Sequence, residues 1–275
     1  DELIALLATA MSTPRPGAER PVVVFPEPTF VMYRLTSRAH GWEPVGVPLD
    51  DAWGLDAEGM SSAIEQTQPK LVYYATPNNP TGNCFSRETI EALIEAYPDT
   101  LHVIDEAYGP YSGQSFATLC EERPQVALLG TLSKVGFAGA RVGWLRLDET
   151  LSAELEKVRQ PFNLSTAAQV VATLALTDLA PLLEEHITSI VSERQRLSAE
   201  LERHDSLHCF PSDSNFLLLR YSGEARELCS ALLEREIAVR QFPRAEPRLR
   251  SCIRITIGTP EENQRLIQAL GDILG

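Results

Sequence analysis

Only three of the 24 cationic side chains in this 275-residue sequence are lysines: Lys70, Lys134 and Lys157. The others are arginines, which cannot shed a proton and attack carbon as an amine can, so each lysine is a candidate nucleophile. Lys134 stands out by its context. It closes Thr131-Leu132-Ser133-Lys134, directly after the apolar run VALLG, and Arg141 follows in GARVGW. Two other apolar runs lead into polar groups in the same way. LVYYAT precedes Pro77-Asn78-Asn79-Pro80-Thr81-Gly82, and LHVI precedes Asp105-Glu106-Ala107-Tyr108. An amine, a carboxylate, a phenol, an amide, two hydroxyls and a guanidinium therefore follow strand-like segments. Lys70 precedes a strand and Lys157 sits in the amphipathic AELEKVRQ, so both suit solvated roles.

A fold must bring these groups together. Strand-like runs at 22–25, 43–49, 70–76, 101–105, 126–131 and 141–147 alternate with helical patterns. SRETIEALIEAYP reads as a helix capped by Ser86 and stopped by Pro98, with Ile90, Leu93, Ile94 and Tyr97 on one face. Continuous apolar strands alternating with helices predict an α/β domain whose mainly parallel sheet is covered on both faces. Ligands of such sheets sit beyond the carboxyl ends of the strands, where the polar set falls.

From about residue 165 the pattern changes. STAAQVVATLAL is helical, and a long helix starting near Pro181 places Ile187, Ile190, Val191, Leu197 and Leu201 on one face. Strands SNFLLLRY and CIRITIG flank the helix EARELCSALLERE, and PEENQRLIQALGDIL forms a last helix. The expectation is a large domain over 1–165, a smaller C-terminal α+β domain over 166–275, and an active site between them. FPRAEPRLR (242–250) reads as a surface loop. The opening DELIALLATAM carries a helical pattern with Leu3, Leu7, Ala10 and Met11 on one face.

Bulk composition narrows the function. An apolar content of 44% supports a sizeable core. The net charge of −14 repels phosphate backbones and anionic lipid, which argues against nucleic-acid or membrane binding as the main role. Cys84, Cys120, Cys209, Cys229 and Cys252 are scattered without a CxxC pair, and the five histidines form no HxH. Neither a disulfide framework nor a metal site is expected, and the thiols read as reduced and cytoplasmic. Asn163-Leu164-Ser165 fits a glycosylation sequon but reads as coincidence. No apolar run approaches the ~20 residues of a spanning helix.

One cofactor needs the whole polar set. Pyridoxal 5'-phosphate takes a lysine as a Schiff base, a carboxylate beside its ring nitrogen and donors at its phenolate oxygen. Its phosphate takes hydroxyls, backbone N–H groups and arginine. On this reading Lys134 is the Schiff base and proton shuttle, and Asp105 pairs with the pyridinium. Tyr108 and Asn79 donate to the phenolate oxygen, while Thr131, Ser133 and Arg141 hold the phosphate.

At these motifs the sequence resembles a known family. YYATPNNPTG, VIDEAY, TLSKVGFAGARVGW, SNFLLLR and CIRITIGT are similar to the class I/II aminotransferases, fold-type I pyridoxal phosphate enzymes, and most like their histidinol-phosphate branch. The resemblance runs the length of the chain. It implies that Phe30, in EPTFVMY, stacks on the pyridine ring, where the family often has tyrosine. It implies that Arg254, in CIRIT, binds a substrate carboxylate, that Arg240, in IAVR, contacts a substrate anion, and that Asn79 also meets substrate. It further implies a homodimer that transaminates histidinol phosphate with 2-oxoglutarate in histidine biosynthesis. An N-terminal arm and a Gly-rich turn gripping the phosphate would precede Asp1.

Plainer readings stay open at single residues. Phe30 suits core packing, Arg254 a structural ion pair and Arg240 a surface charge, and Arg220 has no assigned role. So do other functions: an aromatic amino-acid aminotransferase, a threonine-phosphate decarboxylase-like lyase, or a non-catalytic pyridoxal-phosphate-binding or interaction domain.

Overall fold

The apolar runs of the first half form the strands of one sheet in the computed structural model, which describes residues 1–242 and 246–275. They are β1 (Val22–Glu27), β2 (Glu43–Pro48), β3 (Leu71–Ala75), β4 (Leu101–Asp105), β5 (Val126–Thr131) and β6 (Gly143–Arg146). The spatial order is β2-β1-β3-β4-β5-β6, with β6 alone antiparallel. Six helices cover this sheet: α1 (Glu2–Ala10), α2 (Met32–Ala39), α3 (Ala57–Thr67), α4 (Arg87–Ala96), α5 (Ala117–Glu122) and α6 (Glu149–Glu156). Val24, Val72, Tyr74, Ile104 and Leu128 pack on Met60, Ile64, Ile90 and Ile94 of α3 and α4. Val23, Phe25, Tyr73, Val103 and Leu129 face the other way, onto Ile4, Leu7, Tyr33 and Leu155 of α1, α2 and α6. Alternate residues of each strand thus enter two different cores, which is why the strands read as unbroken apolar runs. Ser86 caps α4 by accepting from the Thr89 N–H, as its position implied, a contact worth about 1 kcal/mol.

The second half comprises α7 (Thr166–Leu176), α8 (Ala180–Leu201), β7 (Leu207–Cys209), β8 (Phe216–Tyr221), α9 (Ala225–Leu233), β9 (Arg240–Gln241), β10 (Cys252–Thr256) and α10 (Pro260–Leu274). Its sheet is antiparallel, in the order β7-β8-β10-β9. Leu217, Leu219, Ile253 and Ile255 pack under Leu197, Leu228, Leu232, Leu266 and Leu270 from α8, α9 and α10. Thr259 and Glu262 form a reciprocal capping box at the start of α10.

Two local expectations change. The buried face of α1 is Ile4, Leu6, Leu7 and Ala8, and Leu3, Ala10 and Met11 are only half-buried. The helix touches α2, α6 and β6, so a wider arc is covered than one stripe. Segment 242–250 is not a free surface loop where it is described. Leu249 is buried, and Arg248 lies 4.3 Å over the Trp53 ring while donating to the Leu49 and Asp50 carbonyls. Residues 243–245 of that segment lie outside the described residues. Arg194 of α8, on which the sequence carried no expectation, is buried, donating to the Ser214 carbonyl at 2.6 Å and the Tyr111 carbonyl at 3.3 Å. Among the described residues no single helix is long and apolar enough to cross a membrane, and no His/Cys/Asp/Glu group is arranged to hold a metal.

Candidate active site

The strand order reverses at β1, with β2 on one side and β3 on the other, so the chain opens a crevice beyond the carboxyl ends there. The loop after β1 brings Phe30 to it, and the loop after β3 brings Asn79. Register aligns Ala75, Asp105 and Leu129 across β3, β4 and β5, so the segments that follow those strands emerge side by side. They wall a cavity of about 250 Å³ lined by Phe30, Asn79, Asp105, Tyr108, Thr131, Ser133, Lys134 and Arg141, together with Ala75, Leu129 and residues of α1.

Thr131 shapes the lysine turn. Its hydroxyl accepts from the Ser133 N–H and reaches the Val142 carbonyl at 3.0 Å, closing a 3₁₀ turn over Leu132–Lys134. Leu132 anchors that turn in an apolar cluster with Val142, Ala168 and Ala175. The Lys134 carbonyl accepts from the Tyr111 hydroxyl at 2.6 Å, while its Nζ stands 5.3 Å from the centre of the Tyr108 ring. No carboxylate among the described residues forms an ion pair with this amine. Tyr108 is held edge-on against Phe216, 5.2 Å between ring centres.

Asp105 is buried, with one donor on each oxygen. The Ala107 N–H reaches Oδ1 at 2.9 Å and the Tyr33 hydroxyl reaches Oδ2 at 2.6 Å. Burial pushes its pKa up, and the Tyr33 and Ala107 hydrogen bonds and the Lys134 charge pull it back. The paired asparagines divide their work. Asn78 is fully buried and ties the loop through Thr29, the Pro28 carbonyl and Thr81. Asn79 faces the cavity, and its Oδ1 accepts from Arg254 at 2.5 Å, which leaves the Nδ2 hydrogens free. Gly82 ends this loop at φ +88, and a Cβ there would meet Ser212 Oγ at 2.8 Å. The Gly82 carbonyl accepts from the Asp213 N–H at 2.8 Å, docking the loop on the segment before β8.

Arg254 reaches the site from β10. It lies 4.8 Å over the Phe216 ring and bonds Asn79, and no carboxylate among the described residues pairs with it, so it is not part of a structural ion pair. Burial lowers its pKa, and Arg240, opposite it in register on β9, adds to the lowering. Arg240 itself is exposed. Arg141 stands at the cavity mouth in a left-handed conformation (φ +56), 3.2 Å from an Asp1 carboxylate oxygen. Arg220 lies away from this group, over the Phe210 ring. Two further residues bear on the site. Tyr33 follows Phe30 by three residues in EPTFVMY, and nothing in that stretch points to its bond with Asp105. Arg194 carried no signal either, because an arginine in a helical pattern reads as solvated.

The donor set suits pyridoxal 5'-phosphate. A carboxylate with spare lone pairs, an amide with free hydrogens, an unpaired amine and a group of hydroxyls beside a guanidinium match its ring nitrogen, phenolate oxygen, aldehyde and phosphate.

The chain is similar to known proteins along almost its whole length. The family model for aminotransferase class I and II matches residues 1–270. A histidinol-phosphate aminotransferase of Aquifex aeolicus is 40% identical over 270 residues, covering 98% of this chain and 74% of that protein. A solved histidinol-phosphate aminotransferase of Sinorhizobium meliloti, in complex with pyridoxal-5'-phosphate, has a TM-score of 0.87 at 27% identity, over 99% of this chain and 74% of that one. A solved decarboxylase from Sulfurospirillum multivorans has a TM-score of 0.85 at 28% identity, over 100% of this chain and 79% of that one. With its family matched along almost its whole length, the chain belongs to the class I and II aminotransferases.

Proposed function

We propose that this protein is a pyridoxal-phosphate-dependent aminotransferase that exchanges an amino group between histidinol phosphate and 2-oxoglutarate in histidine biosynthesis. The observation that carries the reading is the meeting of Lys134, Asp105, Asn79 and Arg141 at one cavity, in a chain 40% identical to a histidinol-phosphate aminotransferase. When bound, the cofactor supplies an electron sink for the substrate Cα. Lys134 Nζ would hold the aldehyde carbon and, as a free amine, would be the base that moves the substrate Cα proton. Asp105, with a donor on each oxygen, would pair with the ring nitrogen and keep the proton there. Asn79 Nδ2 and the Tyr108 hydroxyl donate to the phenolate oxygen, and Phe30 packs against the ring. Thr131, Ser133 and Arg141 take the phosphate.

Arg254 is partly desolvated and has no carboxylate partner among the described residues, which supports its role as the seat for a substrate anion. That anion is a carboxylate in glutamate and 2-oxoglutarate, and the phosphate in histidinol phosphate, which has no carboxylate. Arg240 lies next along the same path. The cofactor domain extends to about residue 165, and the smaller domain carries Arg254 and Arg240. The chain works as a cytoplasmic homodimer. Its exposed Phe162 (97%), Val31, Leu35 and Leu176 support a second copy as their cover.

The test starts with the protein loaded with pyridoxal phosphate. Borohydride should fix the label on Lys134, and a label on Lys70 or Lys157 would refute the assignment. Absorbance is then followed with histidinol phosphate, glutamate, aromatic amino acids and threonine phosphate in turn. Histidinol phosphate and glutamate should convert the cofactor to its amine form. Carbon dioxide released from threonine phosphate would assign a lyase instead.

A further inference from the structure

We propose that Tyr33 is a positioning residue for the cofactor, holding Asp105 and the Phe30 wall of the cavity in one rigid unit. The inference rests on Asp105 being the partner of the ring nitrogen. The Tyr33 hydroxyl donates to Asp105 Oδ2 at 2.6 Å, a length typical of a bond to an ionised oxygen. Its ring has no room to swing. Tyr73 stacks on it at 4.5 Å and 7°, Phe30 meets it edge-on at 5.7 Å and 87°, and Phe25 lies at 6.1 Å. Phe30 and Asp105 both line the cavity, so one buried phenol touches the wall that faces the cofactor ring and the carboxylate that faces its nitrogen.

The proton has one sensible place. Burial and the neighbouring Asp105 charge push the Tyr33 pKa well above its usual value, so the phenol stays a neutral donor. Asp105 is then the member of the pair that carries the charge. Without the phenol, a buried carboxylate would keep only the Ala107 N–H, and protonation would become its easier state. The neighbouring Tyr73 provides a contrast. Its hydroxyl is also buried but has no hydrogen-bond partner among the described residues.

The experiment is a double-mutant cycle read as the dissociation constant for pyridoxal phosphate, with melting of the cofactor-free protein as a check on folding. Asp105→Asn should weaken binding about tenfold or more, and Tyr33→Phe about tenfold, each with the fold retained. The double variant should bind no more weakly than Asp105→Asn alone. Tyr73→Phe should bind as the parent does. Parent-like binding by Tyr33→Phe would overturn the proposal. So would full multiplication of the two effects in the double variant, which would mean that the phenol acts on the core and not through Asp105. Parent-like binding by Asp105→Asn would instead remove the assigned role of Asp105, and this proposal with it.

Discussion

Acid should weaken this fold through His102. The residue lies in β4, fully buried and stacked on Tyr74 at 5.9 Å and 4°. Its Nε2 is 3.1 Å from the Tyr97 carbonyl, which can only accept, so Nε2 carries the proton. Nδ1 is then bare and accepts from the Tyr74 hydroxyl at 3.2 Å. A second proton would face that hydroxyl inside an apolar core. Burial accordingly pulls the pKa from 6.5 down to about 4, partly countered by the bond to Tyr97. Above pH 6.5 the ring is neutral in both folded and unfolded chains and costs nothing. As pH falls below that value the unfolded chain takes up the proton and the folded one does not, so stability drops by about 1.4 kcal/mol per unit. The loss levels off near the folded pKa, after about 3 kcal/mol. Asp105 and Glu106 work in the opposite direction, because burial raises their pKa values and acid relieves the strain of their charges. The assay must therefore isolate the imidazole. Urea unfolding of the parent and of His102→Gln is compared from about pH 7.5 to about pH 4.5. The parent's advantage should shrink steadily across that range. A difference that stays constant with pH would refute the reasoning, as would a ring proton titrating near 6.5 by NMR.

Two other substitutions probe the join between the halves of the molecule. Arg194→Met strands the Ser214 and Tyr111 carbonyls and should lower the unfolding free energy by about 2–4 kcal/mol in urea, whereas a change under about 0.5 kcal/mol would show those bonds to be dispensable. Arg254→Gln removes from β10 the guanidinium that bonds Asn79 and should cut kcat/KM about 100-fold for every anionic substrate, mainly through KM, with a smaller loss of cofactor affinity through the released Asn79 amide.

The parts of the fold that could be read from sequence are those whose signal is local. Strands buried on both faces are unbroken apolar runs, so β1, β3, β4 and β5 could be placed without knowing their partners. Because each ends at the same edge of a parallel sheet, the residues after them could be gathered into one site by topology alone. Where a residue's role depends on distant partners, the sequence carried little. α2, MYRLTSRA, buries only Tyr33, Thr36 and Ser37, so its helical pattern is faint, and the bond that gives Tyr33 its meaning spans 72 residues. Nothing in PNNPTG distinguishes the asparagine that ties the loop from the one that faces the cavity. α1 buries an arc set by three neighbours instead of the single stripe its periodicity suggested. The roles of Arg248 and Arg194 have no local signal because their carbonyl partners lie elsewhere in the sequence.

The position of Arg254 shows why such distant partners matter for function. The guanidinium is carried by the second sheet, yet its bond goes to Asn79, on the loop after β3 of the first sheet, 175 residues earlier. Asn79 can offer its Nδ2 hydrogens to the cavity only because Arg254 occupies its Oδ1 and fixes the orientation of the amide. An anion arriving at Arg254 would therefore be sensed at Asn79 through the same guanidinium. The loop between them is not free to adjust. Gly82 is docked against Ser212 and Asp213, and Asp213 also accepts from the Cys84 N–H at 2.8 Å. A shift of the second sheet relative to the first must move Arg254 and the Asn79 loop together. On the proposed roles of these two residues, substrate anion binding at Arg254 and the hydrogen bonding of Asn79 to the cofactor oxygen would be coupled in one mechanical unit, which neither half of the chain could form alone.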